Sequence, residues 1–472
     1  MVSPPRSGRA PSLEDETAAR AGAPRRRARG RAAVRAADLA RELEISVPTL
    51  HRLLAASSLP ILVAGKARRT RYALRRSVRG DAGEYPLYAV DASGRATQLA
   101  TLSAVAPSGS WMALTGTDWP LIEEAREGWW DGLPYPLYDM RPQGYLGRQL
   151  ARSIQRELGT PDNPDFWNDD DILFALSRVG TDTVGNLILG DTACERWQRE
   201  RLSALEPLRE ASTAVAYADL AEQALAAGVA GASAAGEHPK FPARRDLAGR
   251  PTPHVLVKFS GADDSPAVRR WADLLVCEHL ALEAVRALPG VAGAHSRLLS
   301  HAGRTFLEVE RFDRQGAFGR SPLISLETVN AALLGVDAHD WPRLADGLVA
   351  ASLLETEDAA RIHHLWWYGR LIANTDMHPG NLSFQPLAGR LRPAPAYDML
   401  PMRYAPLAGG ELPASEWAPP LPLPRERETW LAACGAALAF WEGMAADARI
   451  STGFRELGSR HSQALRDLAE RV

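Results

Sequence analysis

The sequence predicts an α+β chain built as an N-terminal winged helix-turn-helix, a small β-containing subdomain and a larger two-lobed body. Three observations carry that reading. Residues 1 to 80 hold eighteen Arg or Lys against six Asp or Glu, a net +12, so the other 392 residues sum to −14 and the chain has two electrostatic halves. Helical periodicity with a serine cap marks two short helices between residues 36 and 56. From about residue 81 the texture changes to alternating strands joined by turn residues, and amphipathic helices follow.

At 472 residues, 46% apolar and 24% charged, the chain has the length and composition of a globular protein of about two to four packed domains. No run of eighteen apolar residues suggests a membrane span, and the Arg-rich start lacks the compact apolar segment of a signal peptide. A cytoplasmic location is expected. Cys194, Cys277 and Cys434 lie far apart without a CxxC pair, which predicts small buried apolar groups instead of disulfides or a thiolate metal site.

Residues 1–30 read as a basic, Pro- and Ala-rich arm ending near RRRARGR, and residues 31–80 as the winged module. In AADLARELEISVPTLHRLLAA, Leu39 and Leu43 are expected inward on a first helix; Ser46 caps a second whose apolar face is Leu50, Leu53 and Leu54. Thr49, His51 and Arg52 would then be presented to groove edges and phosphates. GKARRTRYALRR reads as a wing, with Lys66, Arg68, Arg69 and Arg71 giving salt-dependent phosphate contacts. Duplex DNA is the expected partner; a small helical domain with a solvated basic face is the plain alternative.

Residues 81–150 form the expected β-containing subdomain, residues 151–315 a first lobe and residues 316–472 a helical second lobe. VGTDTVGNLILG carries glycines at a spacing that fits neither a Walker loop nor a dinucleotide fingerprint, so a structural turn is expected there. GASAAGEHPKF offers more: Gly231 and Gly236 permit close backbone approach to phosphate, Ser233 supplies a hydroxyl and Lys240 a point charge.

PHVLVKFS alternates as a strand, with Val255, Val257 and Phe259 on one face and Leu256 and Lys258 on the other. An interior lysine needs an anionic partner. The following helix places Glu278 on the apolar stripe of Leu274, Ala281 and Val285, so Lys258 and Glu278 are the two halves of an ion pair able to hold ATP phosphates. FLEVERFDRQG leads out of the smaller lobe; backbone from Glu308 to Glu310 could read an adenine edge, with Phe312 packing on the ring or in the core. In NTDMHPGNLSF, Asp376 emerges at a helix end, Asn381 follows five residues later, and Asp398 closes a strand seventeen residues further on. That order suits an aspartate accepting the acceptor's hydroxyl proton and two oxygen ligands, Asn381 and Asp398, for magnesium. A zinc site from Asp376 and His378 with His363 or His364 lacks the close ligand spacing such sites use.

ASAAGEHPK, VLVKF, VERFDR, NTDMHPGN and AYDMLP, in this order, resemble the HipA family of bacterial serine/threonine kinase toxins, and within it the YjjJ or HipH branch with an N-terminal helix-turn-helix. The resemblance runs from about residue 30 to the end. It implies a protein-kinase-like fold using ATP and Mg2+, with Lys258 on the nucleotide, Glu310 and Phe312 at the hinge, Asp376 catalytic, and Asn381 with Asp398 on metal. It also implies autophosphorylation of Ser233, in a loop of pattern Ser-x-x-Gly-x-Gln-x-Lys that matches Gly236 and Lys240, with phosphorylation ejecting the loop. The sequence departs from the family in His238, where glutamine usually stands, and in Met377 and Pro379. The family's best-known members pair with a separate DNA-binding antitoxin and phosphorylate an aminoacyl-tRNA synthetase; here the implied protein is a fused toxin kinase acting on a protein Ser/Thr, with a homodimer left open. A small-molecule phosphotransferase of the aminoglycoside or choline kinase type, or a DNA-binding regulator with an inactive body, are the competing readings.

Overall fold

Alternating apolar residues and a capped pair of helices build the first of two compact units, Met1–Arg75 with Val105–Ser108; the second is Arg76–Ala104 with Gly109–Val472. The computed structural model describes residues 33–203, 206–226, 238–413 and 416–472; the basic arm and Ser233, with Gly231 and Gly236, lie outside the described residues.

In the first unit, helices Ala36–Glu42 and Val47–Ala56 are joined by a short turn. Ser46 accepts a hydrogen bond from the Thr49 N–H at 3.3 Å, the N-cap expected of it. Three antiparallel strands back the pair, with Arg71–Leu74 between Val34–Arg35 and Ile61–Ala64. The basic turn between the last two strands depends on Gly65, at φ +104°, where a Cβ would stand 2.5 Å from the Arg69 carbonyl oxygen. Periodicity misplaces two leucines: Leu43 and Leu53 are 53% and 55% exposed, and the helices bury Ala40 and Leu50 in a small core that also takes Leu62, Ala64 and Ala73 from the strands. Two helices of seven and ten residues cannot cover a full apolar stripe from both sides.

The second unit opens on a five-stranded antiparallel sheet, in the order Trp129–Trp130, Ser110–Trp111, Ala96–Ala104, Glu84–Val90 and Leu187–Leu189. Its last strand lies beyond residue 150, the edge expected from composition, because the chain returns to this sheet after two helices, Gly144–Leu158 and Asp169–Val179. A second five-stranded sheet runs Ser296–His301, Arg304–Glu310, His254–Phe259, Lys240–Asp246 and Leu208–Arg209. One face buries Val255, Val257, Phe259, Phe241 and Phe306 with Tyr217 of helix Glu210–Ala226. The 19-residue helix Pro266–Ala284 contacts this sheet and carries Leu274, Glu278 and Ala281 into the interior. Helices Trp341–Ala350, Thr356–Leu371, Arg427–Ala446 and Thr452–Ala469 form the remaining half, with a hairpin of Ser383–Leu387 and Arg390–Pro393. Trp341, Trp430 and Trp441 are fully buried there. Cys194, Cys277 and Cys434 are free thiols and buried. Among the described residues no helix is long and apolar enough to cross a membrane.

Candidate functional site

Strand alternation turns Lys258 away from the phenylalanine core, and the residue is only 7% exposed. Its ammonium donates to both carboxylate oxygens of Glu278, at 2.7 and 2.8 Å, and also meets Asp398. Strand, helix and post-hairpin loop, separated by 20 and 140 residues of chain, therefore converge on one nitrogen. Antiparallel register sets Lys240 opposite Lys258, so two lysines share a face of the sheet. Like charges placed in this way favour an anion between them.

Ionisation at this cluster follows from burial and charge. Burial disfavours the charged form of Lys258, but Asp398 and Glu278 outweigh it and hold the ammonium's pKa above the ordinary lysine value. Burial pushes Glu278 up to about 7 despite Lys258. Asp398 is half-buried, and against the desolvation this brings Lys258 and Lys240 hold it down to about 2. Two carboxylates on one ammonium cannot be equivalent: Asp398 keeps the charge and Glu278 is the one that gives way.

The loop after helix Thr356–Leu371 carries the other polar groups. Asn374, buried, is the brace: its Oδ1 accepts the Asp376 N–H at 3.0 Å and its Nδ2 donates to the Asp398 carbonyl at 3.4 Å. Asn381 Nδ2 donates to the Asp376 carbonyl at 2.8 Å, which turns its Oδ1, an acceptor, the other way. The Tyr397 hydroxyl donates to the Gly380 carbonyl at 2.9 Å and shares a 2.8 Å hydrogen bond with Ser383, tying this loop to the hairpin. Asp398 itself sits at φ +53°, a left-handed conformation costing a non-glycine residue about 1–2 kcal/mol, which the surrounding contacts sustain. Asp376 is exposed as a residue, but partial desolvation of its carboxyl raises it above the ordinary aspartate range, with the negative charge of Asp398 adding and His378 opposing. Asn374 and Tyr397 were missed from sequence because both act through partners 24 and 14 to 17 residues away.

The other expected residues fall as follows. The Glu310 N–H is given to the His295 carbonyl at 2.8 Å and its carboxylate to Arg245 and Arg250, so that backbone donor serves the sheet and not an adenine edge, a correction to the sequence expectation. Pairing with the segment before strand Ser296–His301 was not visible in local pattern. Phe312 packs on Tyr397, ring centroids 5.7 Å apart. His238 packs on Trp271, ring centroids 4.6 Å apart; among the described residues neither of its ring nitrogens has a hydrogen-bond partner, and burial with the charges of Lys258 and Lys240 pushes it down to about 3, so it is neutral. His363 pairs with Asp346 at 2.9 Å. Among the described residues no three His, Cys, Asp or Glu side chains gather as a metal group. In the first unit His51, Arg52, Lys66 and Arg69 are exposed, Arg71 is half-buried, and the Thr49 hydroxyl meets Ser46 at 2.8 Å and Arg52 at 3.4 Å.

A nucleotide and magnesium fit this donor set. Among the described residues both buried His238 ring nitrogens lack a hydrogen-bond partner, and Asn381 and Asp398 could offer magnesium two oxygens, the rest of its shell coming from phosphate and water.

A sheet whose buried lysine meets a long helix's glutamate, facing a helical half with an Asp-x4-Asn loop, defines a protein of the HipA-like class. Residues 232–452 match the HipA-like C-terminal domain and residues 81–198 the YjjJ-like toxin middle domain. Toxin YjjJ of Escherichia coli strain K12 is 37% identical over 440 residues, covering 93% of this chain and 96% of that protein. The chain belongs to the YjjJ-like branch of the HipA toxin family. In fold it is similar to a chain of the Shewanella oneidensis MR-1 toxin–antitoxin complex of HipA, HipB and operator DNA, with a TM-score of 0.51 at 15% identity, over 82% of this chain and 97% of that one.

Proposed function

We propose that the chain is an ATP- and magnesium-dependent serine/threonine protein kinase, a toxin with its DNA-binding module fused to the catalytic body. The observation that carries this is Lys258 held by Glu278 and Asp398 beside the Asp376–Asn381 loop. Lys258 and Lys240 would hold phosphate oxygens, Glu278 would orient Lys258, and Phe312 would pack against the base. Asp376, its carboxyl raised by partial desolvation, would accept the proton of a protein Ser or Thr hydroxyl as the new oxygen–phosphorus bond forms and the bond from the γ-phosphorus to departing ADP breaks. Asn381 and Asp398 would hold magnesium, which supplies charge neutralisation on the transferred phosphoryl group. By the same reading Ser233, seven residues before Lys240 in sequence, receives phosphate from ATP, and the added charge of about −1.5 to −2 would expel its loop and brake the enzyme. The first unit would work as a winged helix-turn-helix, His51 and Arg52 toward a DNA groove, with Thr49 beside them, and Lys66, Arg68, Arg69 and Arg71 toward phosphates.

Purified chain incubated with radiolabelled ATP and magnesium, alone and with cell lysate, tests it. Labelled serine or threonine is expected, with Ser233 among the sites found by mass spectrometry. Absence of any protein label from a folded, ATP-binding preparation would end the kinase reading.

A further inference from the structure

Beside the catalytic loop lies a cavity of about 370 Å³, with Trp366, Arg370, His339 and Asp376 in its wall. Arg370 stands in the last turn of helix Thr356–Leu371, half-buried, its guanidinium 4.8 Å from the centre of the Trp367 ring. Among the described residues that guanidinium has no ion pair and no hydrogen bond. Several shielded arginines of the body are matched by carboxylates: Arg245 binds Glu308 and Glu310, and Arg311 and Arg314 bind Asp182 and Asp313. Nor does Arg370 neutralise Asp376, whose pKa is set by burial, His378, Asp398 and the two lysines.

A planar cation set on an aromatic face, partly shielded from water and facing the cavity that holds the proposed base, is built to take a carboxylate two-pronged. Size limits the distance. A cavity of this volume is about 9 Å across if round, and alternate side chains on an extended peptide stand about 7 Å apart. One bound segment can therefore reach both residues with neighbouring side chains.

Resting on the kinase reading above, we propose that Arg370 selects the acceptor: it pairs with an aspartate or glutamate within about two positions of the serine or threonine that Asp376 deprotonates. The enzyme's protein substrates would then share an acidic side chain beside the modified hydroxyl. Arg370 is a specificity residue here and takes no part in the chemistry.

A positional-scanning peptide library with a central Ser or Thr, incubated with the full chain, magnesium and labelled ATP, tests the assignment. Peptides with Asp or Glu at one near position should be labelled on the order of tenfold or more above those with Lys, the scale of a charge-assisted bond. Arg370→Glu should reverse that order, favouring Lys or Arg at the same position, and a gained preference cannot come from misfolding. Arg370→Lys should keep the sign with a smaller ratio. Wild-type labelling indifferent to flanking charge, or an acidic preference that survives Arg370→Glu, overturns the acceptor assignment. Labelling of the chain on itself separates the two readings: a chain that labels itself without acidic preference sinks the Arg370 proposal alone, and a chain that transfers to nothing sinks both.

Discussion

Replacing Lys258 with methionine should destabilise the protein by an amount that grows with pH above about 7. The ammonium serves Glu278, 1% exposed, at 2.7 and 2.8 Å, and Asp398 beside it. Removing one member of a buried pair costs about 3–5 kcal/mol when the charge left behind cannot neutralise itself. Glu278 can: burial already lifts it from 4.5 to about 7, and without Lys258 it rises further. A carboxyl raised on folding contributes stability below its unfolded pKa and loses it as pH climbs toward the folded one. In the wild type that loss is complete by about pH 7. In the variant it continues above this point at up to about 1.4 kcal/mol per pH unit, so the deficit should widen by up to about 2 kcal/mol between about pH 7 and about pH 8.5. Asp398 works in the opposite sense. Depressed from 3.8 to about 2, it gives stability above 3.8 that is lost as pH falls through about 2, and this contribution disappears with Lys258. Urea unfolding of both proteins at about pH 6.5 and about pH 8.5 measures the difference. An equal deficit at the two pH values would show that Glu278 does not take up the proton, and the ion-pair account of the site would be refuted.

Asp376→Asn should lower phosphoryl transfer by between roughly tenfold and roughly ten-thousandfold while ATP still binds, since the side chain faces the acceptor; near-wild-type turnover would contradict its role as base. With Asp376 in place, transfer should fall on the acid side through a pKa above 3.8, as the raised carboxyl takes a proton, and a pH–rate profile reads that limb directly. Asp398→Asn should weaken nucleotide binding and its dependence on magnesium, and unchanged calorimetric titrations with and without the metal would remove Asp398 from the ligand set. In the full chain, Lys66→Glu with Arg69→Glu should weaken duplex binding across sequences and flatten the slope of log affinity against log salt by about one for each phosphate no longer neutralised; an unaltered slope would count against the wing.

The site was legible wherever a short-range rule decided it. Strict alternation over PHVLVKF separated Lys258 from Val255, Val257 and Phe259, and all four are buried on the faces the pattern assigns. Helical spacing put Glu278 with Leu274, Ala281 and Val285, again buried together. Such rules failed where the determining partner is remote or the element too small. Glu310 looked available because nothing in FLEVERFDRQG shows that its N–H meets His295. Leu43 and Leu53 looked inward because periodicity assumes a core on the apolar side, and of the two short helices only Ala40 and Leu50 are buried.

The glycine-bearing loop at residues 179–190, read from sequence as a structural turn, ties the middle domain to the HipA-like domain. Asp182 pairs with Arg311 and Arg314, and the Gly185 N–H donates to Asp313 at 3.0 Å. The carbonyls of Thr181, Thr183 and Gly185 accept from Arg320, Arg311 and Arg314. These arginines outnumber the two aspartates they meet, and Arg320, with burial and the neighbouring Arg314 acting against its charge, is pushed down to about 9. A cluster carrying that electrostatic cost is a poor source of generic stabilisation, since apolar packing would do better. What it provides is a fixed backbone path on either side of Phe312, which lies between Arg311 and Asp313 and packs on Tyr397. Tyr397 in turn holds Gly380 and Ser383, and Gly380 adjoins Asn381. Contacts therefore run unbroken from the middle domain to the loop of Asp376, which makes residues 180–185 part of the scaffold of the candidate site and not an appendage to it.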